Sequence, residues 1–173
     1  MPSFLLNDRH ACIDRAWKHY LRFGGYPALT DPQLSDEDRF SWLDQYVRTY
    51  LEQDVRDLAA LRDLEPFVTL QQYLALQTGT PLNAAHVARQ VGVSVKTVQR
   101  YIRYLELSYQ VLVLPAWSKN MNKRLVKTPK VHMLDPGVLQ VVLQKRGGTT
   151  GVEFESLVIA EIYKQARCLP KDS

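Results

Sequence analysis

Apolar and polar positions in residues 84–105 follow the pattern of two short helices joined by a sharp turn. The inner side of this pattern consists of Val87, Ala88, Val91, Val93, Val98 and Tyr101. Gly92 stands between the two segments and supplies the backbone freedom that a sharp turn needs. Ser94 is a suitable N-cap for the second helix. The pattern predicts a helix-turn-helix, which serves nucleic-acid binding in some proteins and protein binding in others.

Two short apolar runs follow the second of these helices. Residues 109–114 (YQVLVL) and 131–134 (VHML) predict two strands. The loop between them, PAWSKNMNKRLVKTPK, is polar and basic, and two strands joined by such a loop after a helix-turn-helix describe a winged helix. The wing carries Lys119, Lys123, Arg124, Lys127 and Lys130. A lysine-rich loop that blunts a sheet edge is the alternative interpretation.

The rest of the chain has helical periodicity. Apolar residues at three- and four-residue spacings predict helices over residues 8–22, 37–60, 64–78, about 136–145 and 152–167. In the last of these, Phe154, Leu157, Val158 and Ile162 are expected to face inward. The predicted fold class is mainly α, a helical bundle with a winged helix-turn-helix of three helices and a two-stranded wing. We expect an N-terminal helical region over 1–62, the winged helix over 63–135 and C-terminal helices over 136–173.

The positive charge is concentrated in one part of the chain. The net charge is +4, and residues 108–146 alone contain seven basic residues and one acidic residue. Such a local basic stripe attracts polyanions better than the same charge spread evenly. No apolar run approaches the roughly 20 residues of a membrane helix, and the N-terminus lacks the pattern of a secretory signal. Cys12 and Cys168 stand alone, so the expected location is cytoplasmic, without a membrane partner.

These observations lead to a hypothesis of duplex DNA binding. On the second motif helix, the side chains left away from the inner face are Lys96, Gln99, Arg100 and Arg103. Gln and Arg can read adenine and guanine edges in the major groove, whereas Lys96 is expected to contact phosphate. The wing residues Lys119, Lys123, Arg124 and Lys127 are then expected to hold the DNA backbone.

No enzymatic chemistry is predicted. The four histidines are scattered, and none has a partner at the spacing of a catalytic triad or a metal site, so catalytic, metal and small-molecule sites are not expected. His132 is interpreted as a core or rim residue. Trp17 and Trp42 are interpreted as core anchors, and Trp117 as a residue that packs the wing onto the helices or stacks on a base or sugar.

The chain also resembles a known family. The segments LRFGGYPAL, YVRTYLEQDVRDLAAL, LNAAHVARQVGVSVKTVQRYIRYLELSYQVLVLPAW, NKRLVKTPKVHMLDPGVL and GVEFESLVIAEIYK resemble, in this order, the C-terminal DUF4143 domain of bacterial and archaeal AAA-type ATPases of the ATPase_2 group. The resemblance implies an upstream ATPase domain with ATP and Mg²⁺ in full-length relatives, and a downstream nuclease-like sheet. Glu155 and Glu161 match positions on that family's last helix.

Both of those active parts are missing from this sequence. No GxxxxGK[ST] phosphate loop is present, and the glycines of residues 147–151 lack its lysine. We therefore expect a truncated segment that is not an enzyme by itself and holds no cofactor. The alternative to DNA binding is a regulatory module that couples the ATPase domain to a protein partner, with FGGYP as the hinge and the 37–60 helix as the arm.

Overall fold

The computed structural model describes residues 8–50, 64–117 and 127–169 of the 173-residue chain. The elements in chain order are α1 (Asp8–Phe23), a 3-10 helix (Pro27–Thr30), α2 (Asp36–Tyr50), α3 (Glu65–Leu76), α4 (Ala84–Val91), α5 (Val95–Leu107), β1 (Val111–Leu114), β2 (Lys130–Met133), α6 (Pro136–Val142) and α7 (Gly151–Cys168). The described part is mainly helical, with seven α-helices and a two-stranded antiparallel sheet, so the predicted mainly-α class is confirmed. The predicted continuation of the second helix to residue 60 lies outside the described residues.

One buried core runs through the helices from α1 to α6. Its fully buried side chains include Leu29, Leu43, Phe67, Leu70, Leu74, Val98, Leu105, Val111 and Val131. Val138 and Leu139 of α6 belong to the same core, so residues from all three predicted regions of the chain share it. Trp42 packs against this core as predicted and stacks on Tyr46 with a 3° angle between the rings, whereas Trp17, also predicted as a core anchor, is 38% exposed.

The sheet has a third, very short partner segment. Strands β1 and β2 pair antiparallel, with Leu112 opposite His132 and Leu114 opposite Lys130. Along the other edge of β2, residues 79–82 form three backbone hydrogen bonds with residues 129–131, at 2.7 to 3.1 Å. Pro81 and Lys130 form an isolated bridge in this stretch. Strand β2 therefore lies between β1 and residues 79–82.

The inward face of α7 differs from the prediction. Leu157 is buried as expected, but the other fully buried positions of α7 are Ser156 and Ala160. Phe154, Val158 and Ile162 are instead 44%, 38% and 62% exposed. Helical periodicity favours apolar residues for the buried face and does not select serine. In the fold, Ser156 can be buried because its hydroxyl accepts a hydrogen bond from Thr78 at 3.1 Å.

The segment after α1 is held against the start of α6. Asp135 is the N-cap of α6, and its carboxylate accepts from the backbone N–H groups of Gly137 and Val138. A Cβ at Gly137 would stand 2.2 Å from the carbonyl oxygen of Phe23, so only glycine allows the two backbones to approach this closely. This contact fixes where α1 ends relative to the core.

Candidate nucleic-acid interface

The connection between α4 and α5 is three residues long, and its geometry follows from local chemistry. Gly92 adopts the left-handed conformation with φ 75°, and its N–H donates to Ala88 at 3.0 Å. The Ser94 hydroxyl accepts from the N–H of Thr97 at 3.1 Å and so caps α5. Asn83 caps α4 by accepting from His86 N. The turn predicted at Gly92 and the cap predicted at Ser94 are confirmed.

Helix α5 has one buried and one exposed face. The buried side chains are Val98, Tyr101, Ile102 and Leu105, and Tyr101 packs edge-on against Phe67 of α3 at 5.2 Å between ring centroids. The exposed side chains include Lys96, Gln99, Arg100 and Arg103. At 3.6 residues per turn these four positions fall within an arc of about 100°. The structure therefore brings four of the predicted site residues onto one solvent-facing surface, which we call the α5 face.

The side chains of the α5 face are only weakly engaged with the protein. The guanidinium of Arg100 lies 5.7 Å from the Tyr101 ring centroid. Arg103 Nη1 is 3.9 Å from Glu106 Oε2, and its side chain is 66% exposed. An exposed ion pair such as that of Arg103 contributes about 0–1 kcal/mol, and an exposed cation–π contact such as that of Arg100 contributes about as little, so both arginines remain available to a ligand.

The wing residues are described in part. Lys127 is exposed and precedes β2 by three positions. Lys119, Lys123 and Arg124 lie outside the described residues. Lys130, the last basic residue of this loop, points toward α7, where its Nζ is 2.8 Å from Glu155 Oε1.

One exposed basic residue of the motif was not among the predicted contacts. Arg89 of α4 is exposed, and one of its guanidinium nitrogens is 3.5 Å from His86 Nδ1. Arg89 lies on the side of α4 opposite to the buried Val87 and Ala88, so the helical periodicity of the sequence could have identified it as exposed. Trp117 is 70% exposed, so its own side chain is not buried against the helices, and it lines an open groove together with Leu114 and other apolar residues.

A buried polar chain joins the turn after α3 to β2 and α7. The backbone N–H of Met133 donates to Thr78 Oγ1 at 3.0 Å, and Thr78 donates to Ser156 Oγ. Ser156 Oγ is 3.0 Å from Nδ1 of His132, which is fully buried. Burial and the nearby Lys130 lower the pKa of His132, so the ring is neutral at neutral pH. The prediction of a core histidine is confirmed.

The two acidic residues singled out on α7 are both held in ion pairs. Glu155 pairs with Lys130, and Glu161 Oε1 is 2.7 Å from Lys164 Nζ and also accepts from the Tyr20 hydroxyl. Burial opposes ionisation of Glu161, but the hydrogen bonds from Lys164 and Tyr20 outweigh it and lower its pKa. These contacts tie α7 to β2 and α1.

The described residues contain neither a metal-binding cluster nor a membrane-spanning helix. Within residues 8–50, 64–117 and 127–169, no group of three or more His, Cys, Asp or Glu side chains is placed to hold a metal ion. Among the helices that the structure describes, none has the length and apolar composition needed to cross a membrane.

Comparison with curated proteins finds relatives in two mycobacteria. An uncharacterised protein of Mycobacterium bovis and one of Mycobacterium tuberculosis are each 32% identical to this chain over 162 residues. The match covers 88% of this chain but only 35% of each relative, so the chain spans about a third of their length. No solved structure matches the chain.

A family model also matches, and it corrects the resemblance drawn from the sequence. The matching model is a domain of unknown function, DUF8612, and it covers residues 14–148. The assignment to the DUF4143 domain of AAA-type ATPases was therefore wrong, because most of the chain matches a different domain family. The matched range contains the α5 face, both strands and the Asp135 contact. The chain belongs to the DUF8612 family.

Proposed function

We propose that this chain is a winged-helix domain that binds duplex DNA through the α5 face. The observation that carries the proposal is the α5 face itself, with Lys96, Gln99, Arg100 and Arg103 exposed after a capped three-residue turn. In helix-turn-helix proteins the second helix enters the major groove and reads base edges near its N-terminus. Lysine, glutamine and arginine are the side chains that this role requires.

The order of the elements supports the winged-helix part of the proposal. Helices α3, α4 and α5 precede strand β1, and β2 lies between β1 and residues 79–82. In this order of elements, the segment joining β1 to β2 corresponds in sequence to a wing. Residues 118–130 contain Lys119, Lys123, Arg124, Lys127 and Lys130 and no acidic residue, so this segment is suited to phosphate contacts.

The test is fluorescence anisotropy of a labelled duplex, titrated with the protein between 50 and 200 mM salt. We expect the affinity to fall steeply with salt, because each phosphate contact releases counterions. Arg100→Glu should abolish binding at 200 mM salt. Lys18→Glu, which makes the same charge change on exposed α1, is the matched control and should retain it. A folded wild-type protein that does not bind even at 50 mM salt would refute the proposal.

A second candidate, a protein-coupling module, is favoured by an apolar patch on α1 and α7. This patch consists of Ile13, Trp17, Phe154, Val158 and Ile162, each between 38% and 62% exposed. Trp17 and Phe154 meet edge-to-face at 6.1 Å and join the two helices into one surface. Contiguous exposed apolar surface of this kind marks sites of protein association.

The two candidates make different predictions for the same variants. If the apolar patch binds protein, then Ile162→Glu should abolish association measured by sedimentation over a range of concentrations, and Arg100→Glu should not. If DNA binding is the activity, Ile162→Glu should leave DNA affinity unchanged. A protein that remains monomeric at every concentration, with or without Ile162→Glu, would count against self-association through the patch.

A further inference from the structure

An open groove lies on the face of the sheet that α7 covers only in part. Residues paired directly across an antiparallel ladder share a face, so Leu114, Lys130 and Pro81 stand side by side. His132, two positions along β2, is on the same face and is covered by Ser156 of α7. Helix α7 thus covers the His132 end of this face and leaves the Lys130 end open.

The groove has an apolar wall, and the one cation that lines it among the described residues is paired with a carboxylate. Its volume is about 630 Å³, within the usual range for a small-ligand site. Trp117 and Leu114 line it and are 70% and 38% exposed, so a large flat apolar surface is left uncovered. Lys130 lies at its edge, and its Nζ is held 2.8 Å from Glu155 Oε1.

The surrounding charge indicates what kind of group fits there. The occupant must present a flat apolar face to the indole and match a positively charged neighbour, because Lys127, one position before the lining residue Thr128, is exposed. An unpaired nucleotide meets both requirements, since its base stacks on an aromatic ring and its phosphate is anionic. An apolar peptide meets only the first.

We infer that the groove beside Trp117 takes an unpaired base of the bound DNA, so that the preferred substrate is a duplex with a single-stranded extension. Trp117 stacks on the base, and Lys130 lies near the phosphate at the groove edge. The inference rests on the proposed function, because it adds a contact to a duplex that the α5 face holds.

The test compares a blunt duplex with the same duplex carrying a three-nucleotide 3′ or 5′ extension. Stacking of one base on an aromatic side chain predicts that one extended duplex binds roughly five- to hundredfold more tightly than the blunt one. Trp117→Ala should remove this advantage and leave the blunt-duplex affinity unchanged, whereas Trp117→Phe should keep most of it. Trp17→Ala, at a tryptophan on α1, is the control and should change neither affinity.

A fluorescent base gives an independent readout. With 2-aminopurine in the extension, wild-type protein should quench its fluorescence on binding, and Trp117→Ala should not. Equal binding of blunt and extended duplexes would overturn the inference while leaving the proposed function intact. So would an advantage that survives Trp117→Ala, because the extension then binds elsewhere. If the groove binds an apolar peptide instead of a base, the wild-type protein and Trp117→Ala should have the same affinity for every DNA tested. Absence of binding to any duplex would instead refute the proposed function.

Discussion

The backbone N–H of Gly25 donates a hydrogen bond to the carboxylate of Asp135 at 3.0 Å, across 110 positions of sequence. The same carboxylate accepts from the N–H groups of Gly137 and Val138, so one side chain both starts α6 and holds the segment after α1. Burial raises the pKa of Asp135, and the three backbone donors and Lys164 oppose that rise. Gly24 makes room for this contact, since a Cβ there would stand 2.1 Å from an Asp135 oxygen.

Asp135→Ala is expected to lower the free energy of unfolding by about 2–4 kcal/mol, because it removes an N-cap and leaves buried N–H groups without an acceptor. Asp135→Asn should have a smaller effect, since its amide oxygen can still cap α6. Urea denaturation measures both. Asp14→Ala, which removes an exposed ion pair with Lys18, is the control and should change stability by less than about 1 kcal/mol. If Asp135→Ala lowered the free energy of unfolding by less than about 1 kcal/mol, as expected for the control, the anchoring role would be contradicted.

Two glycines with similar backbone angles should differ in their tolerance of alanine. Gly79 and Gly92 have φ values of 78° and 75°. A Cβ at Gly79 would stand 2.6 Å from Val152 Cγ1 on α7, whereas nothing lies within 4 Å of one at Gly92. Gly92→Ala should therefore destabilise the protein by about 1–2 kcal/mol, the cost of the left-handed conformation alone.

Gly79→Ala adds steric overlap to that cost and should destabilise by a further 1–3 kcal/mol or so. Thermal or urea unfolding of the two variants gives the difference directly. Gly148→Ala, where a Cβ also meets nothing within 4 Å, serves as the unstrained control. Equal losses at Gly79 and Gly92 would show that α7 does not pack closely on residues 79–82.

Stability should fall as the solution is acidified through pH 6.5, in part because of His132. Its folded-state pKa is lowered by burial and by Lys130, while Glu155 opposes the shift, so below pH 6.5 the unfolded chain binds a proton that the folded chain does not. Between pH 7.5 and 5.5 this residue should therefore lower the free energy of unfolding as the pH falls. His19, whose pKa is lowered by burial and by Arg39, contributes in the same direction.

The measurement is the difference in unfolding free energy between the two pH values for wild type and His132→Asn. The variant should show a smaller pH dependence, whatever its absolute stability. An unchanged dependence in His132→Asn would mean that the pKa of His132 is the same in the folded and the unfolded protein.

If the α5 face reads DNA, base-contacting and phosphate-contacting residues should respond differently to substitution. Lys127→Ala should reduce the slope of log K against log salt by about one unit and weaken all duplexes alike. Gln99→Ala should leave the slope unchanged and reduce discrimination at one base pair by about 1–3 kcal/mol. Binding selections from a randomised duplex pool, combined with salt titrations, separate the two effects. If Lys127→Ala left the slope of log K against log salt unchanged, Lys127 would not be a phosphate contact.

The features that were predicted correctly from the sequence are those that depend on local chemistry. The turn at Gly92 and the cap at Ser94 depend on residues within four positions of each other, and the polar arc of α5 follows from helical periodicity within one short segment. Backbone angles, capping bonds and helical periodicity act over that range, so they can be read from one segment at a time. The mainly helical class followed from the same signals.

Only the tertiary structure decided which apolar residues of α7 are buried, where Asp135 binds, and that Trp117 is left exposed beside a groove. Ser156 is buried and Ile162 is exposed because burial depends on the partners that the fold supplies, here Thr78 and His132. Those partners are up to 78 positions away from Ser156, and no local pattern contains them. Segments distant in sequence come together only when the core closes, which is why periodicity identified α7 as a helix but not the side by which it packs.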